Sequence, residues 1–160
     1  MKHLLILFVI VLFIMGISHS CKKTEDTEEP IQQSPPVSLE SMLQCNGQRS
    51  WDSASIHDAL IGKWQWEFII CYFNPEDANG QDYKNLSIEF KQNDSLEVKI
   101  NNQISQVSSW YVTRLSDGYF KLTVNPIVFQ LPGRVLICDD RVLFYDSYTD
   151  GCNNYFKKQY

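Results

Sequence analysis

From Gly62 onward, apolar and polar residues alternate with a period of two. Successive side chains of a β-strand point to opposite faces, so this alternation predicts half-buried strands. The longest example alternates Trp64, Trp66, Phe68, Ile70 and Tyr72 with Lys63, Gln65, Glu67, Ile69 and Cys71. It predicts one long strand whose aromatic and aliphatic residues share a single face.

Seven shorter strands are predicted, of which the first two show the same alternation: 86–91, 96–100, 107–114, 119–124, 134–138, 141–146 and 154–158. A helical turn is predicted at 55–60. The connections after strands two, four and six are tight (92–94, 116–118 and 139–140). Those after strands one, three, five and seven are longer (73–83, 101–106, 125–133 and 147–153). The fold class is therefore predicted as all-β, an eight-stranded antiparallel up-and-down barrel with a hairpin-closed end and an open, loop-rimmed end.

The N-terminus has the pattern of an export signal. Lys2 and His3 precede the apolar run Leu4–Ile17, whose 14 residues are too few to cross a bilayer as a helix. The small polar residues before Cys21 resemble the lipobox of bacterial lipoproteins, which implies cleavage before Cys21 and a lipid on that cysteine. The alternative is an ordinary secreted protein in which Cys21 is free or paired elsewhere.

The stretch after Cys21 is polar, acidic and proline-containing, and it has little apolar surface to bury. We interpret residues 1–20 as the signal peptide, 21–44 as a flexible tether and 45–160 as the barrel domain. The charged residues from Lys22 to Glu29 are similar to those of surface-displayed lipoproteins of Gram-negative bacteria. The expected location is the cell envelope, lipid-anchored to the outer membrane and either periplasmic or surface-exposed.

The charge and the cysteine content argue against two classes of function, nucleic-acid binding and metal binding. Removing residues 1–20 leaves 13 basic against 19 acidic side chains, and this acidic balance argues against a nucleic-acid partner. Four cysteines remain in the domain: Cys45, Cys71, Cys138 and Cys152. In an exported chain they predict two disulfides rather than a metal site, since His57 is then the only histidine.

Gly62-Lys63-Trp64, preceded by a helical turn, resembles the Gly-x-Trp signature of the lipocalins. The Asp150-Gly151-Cys152 turn before the last strand is similar to the ending of small lipocalin-like lipoprotein domains. The resemblance implies that Trp64 plugs the closed end of the barrel, beside Gly62, and packs against a basic residue of the last strand, by position Lys157 or Lys158.

In such a barrel, Cys71 and Cys152 lie near the open end on neighbouring strands. Cys138 ends strand six at the closed end, where Cys45 arrives before strand one. The pairings 45–138 and 71–152 then meet the Cα separation that a disulfide requires, whereas the other two connectivities would span the length of the barrel.

No candidate catalytic set is convincing, so we expect neither an enzyme nor a cofactor or metal. His57 lies on the turn before the first strand, and Asp139 and Asp140 are accounted for by hairpin geometry. The oxygen-rich loop 74–80 has calcium-compatible composition but lacks EF-hand spacing, and we interpret it as a polar rim loop.

Two functions remain open. The barrel interior is a candidate site for a small hydrophobic ligand, lined by Trp66, Phe68, Ile70, Tyr72, Leu86, Ile88, Val98, Trp110 and Val112. Alternatively, these residues simply fill the barrel, and the chain is an accessory lipoprotein whose rim contacts a partner protein or an envelope polymer. The contact residues would then be Tyr72, Phe73, Tyr83, Phe129, Tyr145 and Tyr148.

Overall fold

Eight strands pair in chain order, each antiparallel to the next, and β8 pairs with β1 to close a barrel. The computed structural model describes residues 37–72 and 83–160. Its elements are α1 Leu39–Gly47, α2 Ser53–Leu60, β1 Gly62–Cys71, β2 Leu86–Phe90, β3 Ser95–Ile100, β4 Gln103–Arg114, β5 Phe120–Asn125, β6 Arg134–Cys138, β7 Arg141–Tyr145, a 3-10 turn Ser147–Thr149 and β8 Cys152–Gln159. The predicted fold class is confirmed.

Both helices begin at capping boxes. The Ser38 hydroxyl accepts a hydrogen bond from the Ser41 amide at 3.1 Å, and an Asp52 carboxylate oxygen accepts one from the Ser55 amide at 2.7 Å. These bonds satisfy amides that a helix N-terminus otherwise leaves unpaired, and the bond from the Ser55 amide lowers the pKa of Asp52. None of the helices in the described residues is long and apolar enough to cross a bilayer.

Helix α1 begins inside the stretch predicted as tether. Its cap at Ser38 and its buried Met42 show that ordered structure begins before Cys45, the predicted domain boundary. The composition of this stretch is polar, and its few apolar residues fold because the barrel supplies a surface for them. The signal peptide, Cys21 and most of the predicted tether lie outside the described residues.

The barrel interior is filled with large side chains. Trp64, Phe90, Trp110, Phe144 and Phe156 are each under 2% exposed and belong to one apolar cluster. Two pairs of these rings meet edge to face, Phe90 with Trp110 at 4.8 Å and Phe144 with Phe156 at 5.6 Å between centroids. Burial of each such side chain contributes about 1.5–3 kcal/mol, so this cluster contributes strongly to the stability of the fold.

Helix α1 covers a second apolar cluster on the outside of the barrel wall. Met42 of the helix packs with Leu136, Leu143 and Tyr155, which are the outward residues of β6, β7 and β8 and are fully buried. In these three strands both faces are therefore covered. This explains why β6 and β7 have near-continuous apolar sequences rather than alternating ones.

A β-bulge in β1 changes which residues face inward. The register with β8 shifts between Trp66 and Phe68, so that Glu67 is inserted as an extra residue. Phe68 and Ile70 consequently pack in the outer cluster, where Phe68 stacks on Tyr155 at 4.3 Å. The prediction that both line the barrel interior is wrong, because strict alternation cannot anticipate a bulge.

The hairpin turns at 92–94, 116–118 and 139–140 lie between strands as predicted. The predicted long connection at 101–106 is wrong: β4 begins at Gln103 and pairs with β3 from there. Asn101 and Asn102 form a two-residue turn with φ of 52° and 62°. Asparagine tolerates this left-handed backbone better than most residues, which allows the tight turn.

The predicted disulfide pairs are present. Cys45 and Cys138 join the end of α1 to the end of β6, with a Cα separation of 5.6 Å. Cys71 and Cys152 join the paired ends of β1 and β8, at 4.4 Å. The first bridge holds the outer helix on the barrel, and the second links its first and last strands.

Candidate functional site

The closed end of the barrel is built around Trp64. Its indole Nε1 donates to the Leu60 carbonyl at 2.7 Å, which ties β1 to the end of α2. The Lys158 ammonium lies 5.0 Å from the Trp64 ring centroid and donates to the Ala59 carbonyl at 2.9 Å. Burial lowers the pKa of Lys158. These contacts plug and brace the barrel at this end, next to Gly62, whose φ is +122°.

His57 of α2 also lies at the closed end. Its ring stacks on Trp110 with centroids 4.6 Å apart, and its Nε2 lies 2.9 Å from an Asp94 carboxylate oxygen in the β2–β3 turn. Asp58 is the second carboxylate near this ring, at 3.3 Å from Nδ1. The hydrogen bond with Asp94 raises the pKa of His57. The arrangement fastens α2 to the β2–β3 turn.

The predicted interior residues other than Phe68 and Ile70 fall into two groups. Those within the inner apolar cluster are Trp66, Leu86, Ile88, Val98 and Trp110, with Val112 partly buried against it. Tyr72, by contrast, is 54% exposed beyond the end of β1. Trp66 donates from its indole to the Asn154 side chain at 3.2 Å, and Tyr83 lies beside its ring. The clustered residues thus contact one another closely.

The barrel wall is weakest between β5 and β6. Only one residue pair, Lys121 with Arg134, links these strands, whereas five pairs link β6 to β7. After Asn125 the chain turns away from the wall and does not rejoin it until Arg134. The part of β5 that follows Lys121 therefore has no strand beside it on the side of β6.

This gap forms an apolar cleft of about 300 Å³. Its lining residues are Lys121, Leu122, Thr123, Val124, Ile127, Val128, Phe129, Leu131 and Pro132. Leu122, Val128 and Leu131 are buried and belong to the inner cluster, so the floor of the cleft is continuous with the barrel core. Ile127 and Phe129 are 71% and 86% exposed and form its rim.

The charge around the cleft is positive. Among the described residues that line it, Lys121 is the only charged one. Lys121 is exposed and has no carboxylate within ion-pair distance among residues 37–72 and 83–160. Arg134, its partner across the seam, forms an ion pair with Asp117 and stacks against Tyr148 at 4.0 Å. The charge of Arg134 is thus balanced by Asp117, and its side chain is held against Tyr148. Lys121 has no such ion pair among the described residues.

This site is not among those predicted from the sequence. Residues 125–133 were predicted as a loop at the rim of the barrel, and Phe129 was the only one of them predicted as a contact residue. A signal was present, because Ile127, Val128, Phe129 and Leu131 form an apolar run that a solvated loop does not need. The loss of pairing between β5 and β6 could not be predicted from the sequence, because it depends on how the whole barrel closes.

Two further depressions are more polar than the cleft. One, of about 340 Å³, lies between the end of α1 and the β4–β5 turn and includes Arg49, Trp51 and Asp117. The other, of about 510 Å³, is lined largely by amide side chains, including those of Gln65, Asn85 and Asn101. The cleft beside β5 is the most apolar of these three sites.

Comparison with protein-family models, with curated proteins and with solved structures found no match to this chain. The fold and the cleft are therefore the basis for a functional proposal.

Proposed function

We propose that this protein is an exported, lipid-anchored lipoprotein with a lipocalin-like barrel, and that it binds a small hydrophobic molecule in the lateral cleft between β5 and the 126–133 loop. The observation that carries the proposal is the cleft itself: an apolar cavity of about 300 Å³ that opens to solvent. Ligand pockets are mostly apolar and start at about this volume.

The rim of the cleft gives a reason for a ligand to bind there. Ile127 and Phe129 lie mostly in water, which is unfavourable for large apolar side chains. A ligand seated between them and Leu131 would cover them, and contiguous exposed apolar surface commonly marks a binding site. The tightly packed rings of the closed half of the barrel favour this lateral position over one among those rings.

The lipid anchor and the outer-membrane location are proposed from the sequence before Leu39. The two disulfides support export, because such bonds persist in oxidising compartments. Mass spectrometry of the N-terminal peptide from native cells tests the anchor: acylation at Cys21 supports it. An unmodified N-terminus, or unchanged membrane fractionation of Cys21→Ala, would contradict it.

Ligand binding can be tested with N-phenyl-1-naphthylamine, a neutral probe that fluoresces in apolar surroundings. The double variant Ile127→Ala, Phe129→Ala removes the rim, and because both side chains are exposed we expect little loss of stability. The matched control is Val107→Ala, Tyr111→Ala, since these residues are 55% and 59% exposed on β4, outside the cleft.

We expect saturable binding by the wild type and the control, and weaker binding by the rim variant. Equal affinity in all three proteins would place the probe elsewhere and contradict the proposal. Native mass spectrometry of protein purified gently from its own cell gives an independent check, because a bound small molecule adds a discrete mass.

An accessory role in contacting a partner is the second candidate, favoured by a specific feature of β4. Ile104, Val107 and Tyr111 are each more than half exposed along the strand. A photo-crosslinker at position 111 should then form a discrete adduct in native cells that one at the exposed Lys63 does not form. The absence of a position-specific adduct would count against this role.

A further inference from the structure

The cleft has one polar end, and this feature restricts the chemistry of its ligand. Lys121 lies where the β5–β6 seam closes, and the apolar wall extends from there past Leu122 and Val124 to the exposed rim. A ligand that fills the cleft would thus have Lys121 beside it at one end and only apolar or hydroxyl side chains among the other described lining residues.

Lys121 is a positive charge at the cleft of a protein whose net charge is negative. The whole chain carries a net charge of −5, yet no acidic residue is among the described residues that line the cleft. The neighbouring acid, Asp117, forms an ion pair with Arg134, whose guanidinium is also stacked on Tyr119 at 4.5 Å. Lys121 is therefore available to an incoming anion.

We propose that the ligand is a free, single-chain amphiphile with an anionic head group such as a carboxylate, which pairs with Lys121 while its chain lies against Leu122, Leu131 and Phe129. This inference rests on the proposed function of the cleft and adds the charge and polarity of the ligand to it. The volume of about 300 Å³ suits a short or medium-length chain rather than a two-chain lipid.

The test compares three probes of equal chain length: octanoate, octanol and octylammonium. Binding to the full chain is followed by the ¹H–¹⁵N shifts of cleft residues during titration. Lys121→Gln removes the cation, and Lys63→Gln, at an exposed position on β1, changes the net charge equally and serves as the control.

We expect octanoate to bind the wild type about five-fold more tightly than octanol, with octylammonium weakest, since a partly exposed ion pair contributes modestly. Lys121→Gln should remove the advantage of octanoate and leave octanol unchanged, and Lys63→Gln should change neither. That pattern would support an anionic ligand.

Three results would overturn the inference, and they can be told apart. If octanoate and octanol bind the cleft equally in wild type and Lys121→Gln, the cleft binds apolar molecules without selecting charge, and the proposed function stands alone. If none of the probes shifts the cleft residues, the proposed function fails as well. Lys121-dependent binding to anionic phospholipid vesicles without binding of octanoate would also overturn it, since the occupant would be a membrane surface.

Discussion

Gly133 is the last residue of the loop between β5 and β6, and β6 begins at the next residue. Its replacement by alanine gives the sharpest test of how β6 packs beside β7. Its φ is +92°, and a Cβ atom built there would lie 2.2 Å from the Tyr145 carbonyl oxygen. Gly118, in the β4–β5 turn, is the matched control. Its φ is +87°, but a Cβ there would have nothing within 4 Å.

The two substitutions separate backbone strain from steric overlap. A positive φ costs an L-residue about 1–2 kcal/mol, partly offset by about 0.4–1 kcal/mol because alanine restricts the unfolded chain, so Gly118→Ala should destabilise by about 1 kcal/mol. Gly133→Ala carries the same terms and must also displace the Tyr145 backbone from its pairing with Arg134. Forced shifts of this kind cost about 1–3 kcal/mol, so we expect a total of about 3 kcal/mol.

Urea denaturation followed by tryptophan fluorescence, with both disulfides intact, measures this difference in the free energy of unfolding. An unchanged dependence on urea concentration would show that the transition is still two-state. If the two variants are equally stable, Gly133 does not approach the Tyr145 backbone, and the account of the β6–β7 junction is wrong.

Two further predictions concern the closed end and the outer helix. Because Asp94 raises the pKa of His57 above 6.5, their pairing should stabilise the fold below pH 6.5 and be lost as pH rises through the higher folded-state pKa. Denaturation at about pH 5.5 and pH 8.5 should show a difference of less than about 1 kcal/mol, and Asp94→Asn should reduce it without removing it, because Asp58 also raises the pKa of His57. An identical pH dependence in that variant would contradict the linkage. Met42→Ala should destabilise the fold by about 2–5 kcal/mol, because Met42 is fully buried between α1 and the barrel wall. Leu43→Ala should cost less, because Leu43 is only partly buried. Equal costs would mean that α1 is not firmly packed on the barrel.

Much of the barrel was predictable because its determinants are local. The alternation in β2, β3 and β5 places their apolar residues inward as expected, and the turn after β6 needs only Asp139 in a positive φ and a neighbouring Asp140. The disulfide pattern followed from the alternating direction of the strands. These features depend on residues that are adjacent in sequence or on the order of the strands.

The errors arose where distant segments determine the local structure. The bulge at Glu67 moves Phe68 outward, onto Tyr155 and beneath α1, and alternation carries no trace of it. Helix α1 is stable because β6–β8 offer an apolar outer surface, which its own polar sequence does not reveal. The strand β4 extends to Gln103 because two asparagines make a tighter turn than predicted.

The candidate site also combines features that the local sequence determines with features that distant segments determine. The sequence by itself determined that eight strands would be present, because the side-chain pattern and the turn residues that indicate a strand are local. It also contained the apolar run from Ile127 to Leu131, which must be covered by something. Only the tertiary structure decided that β5 and β6 separate after one pair and leave a cleft with Lys121 at its end, because pairing between strands depends on the closure of the whole barrel.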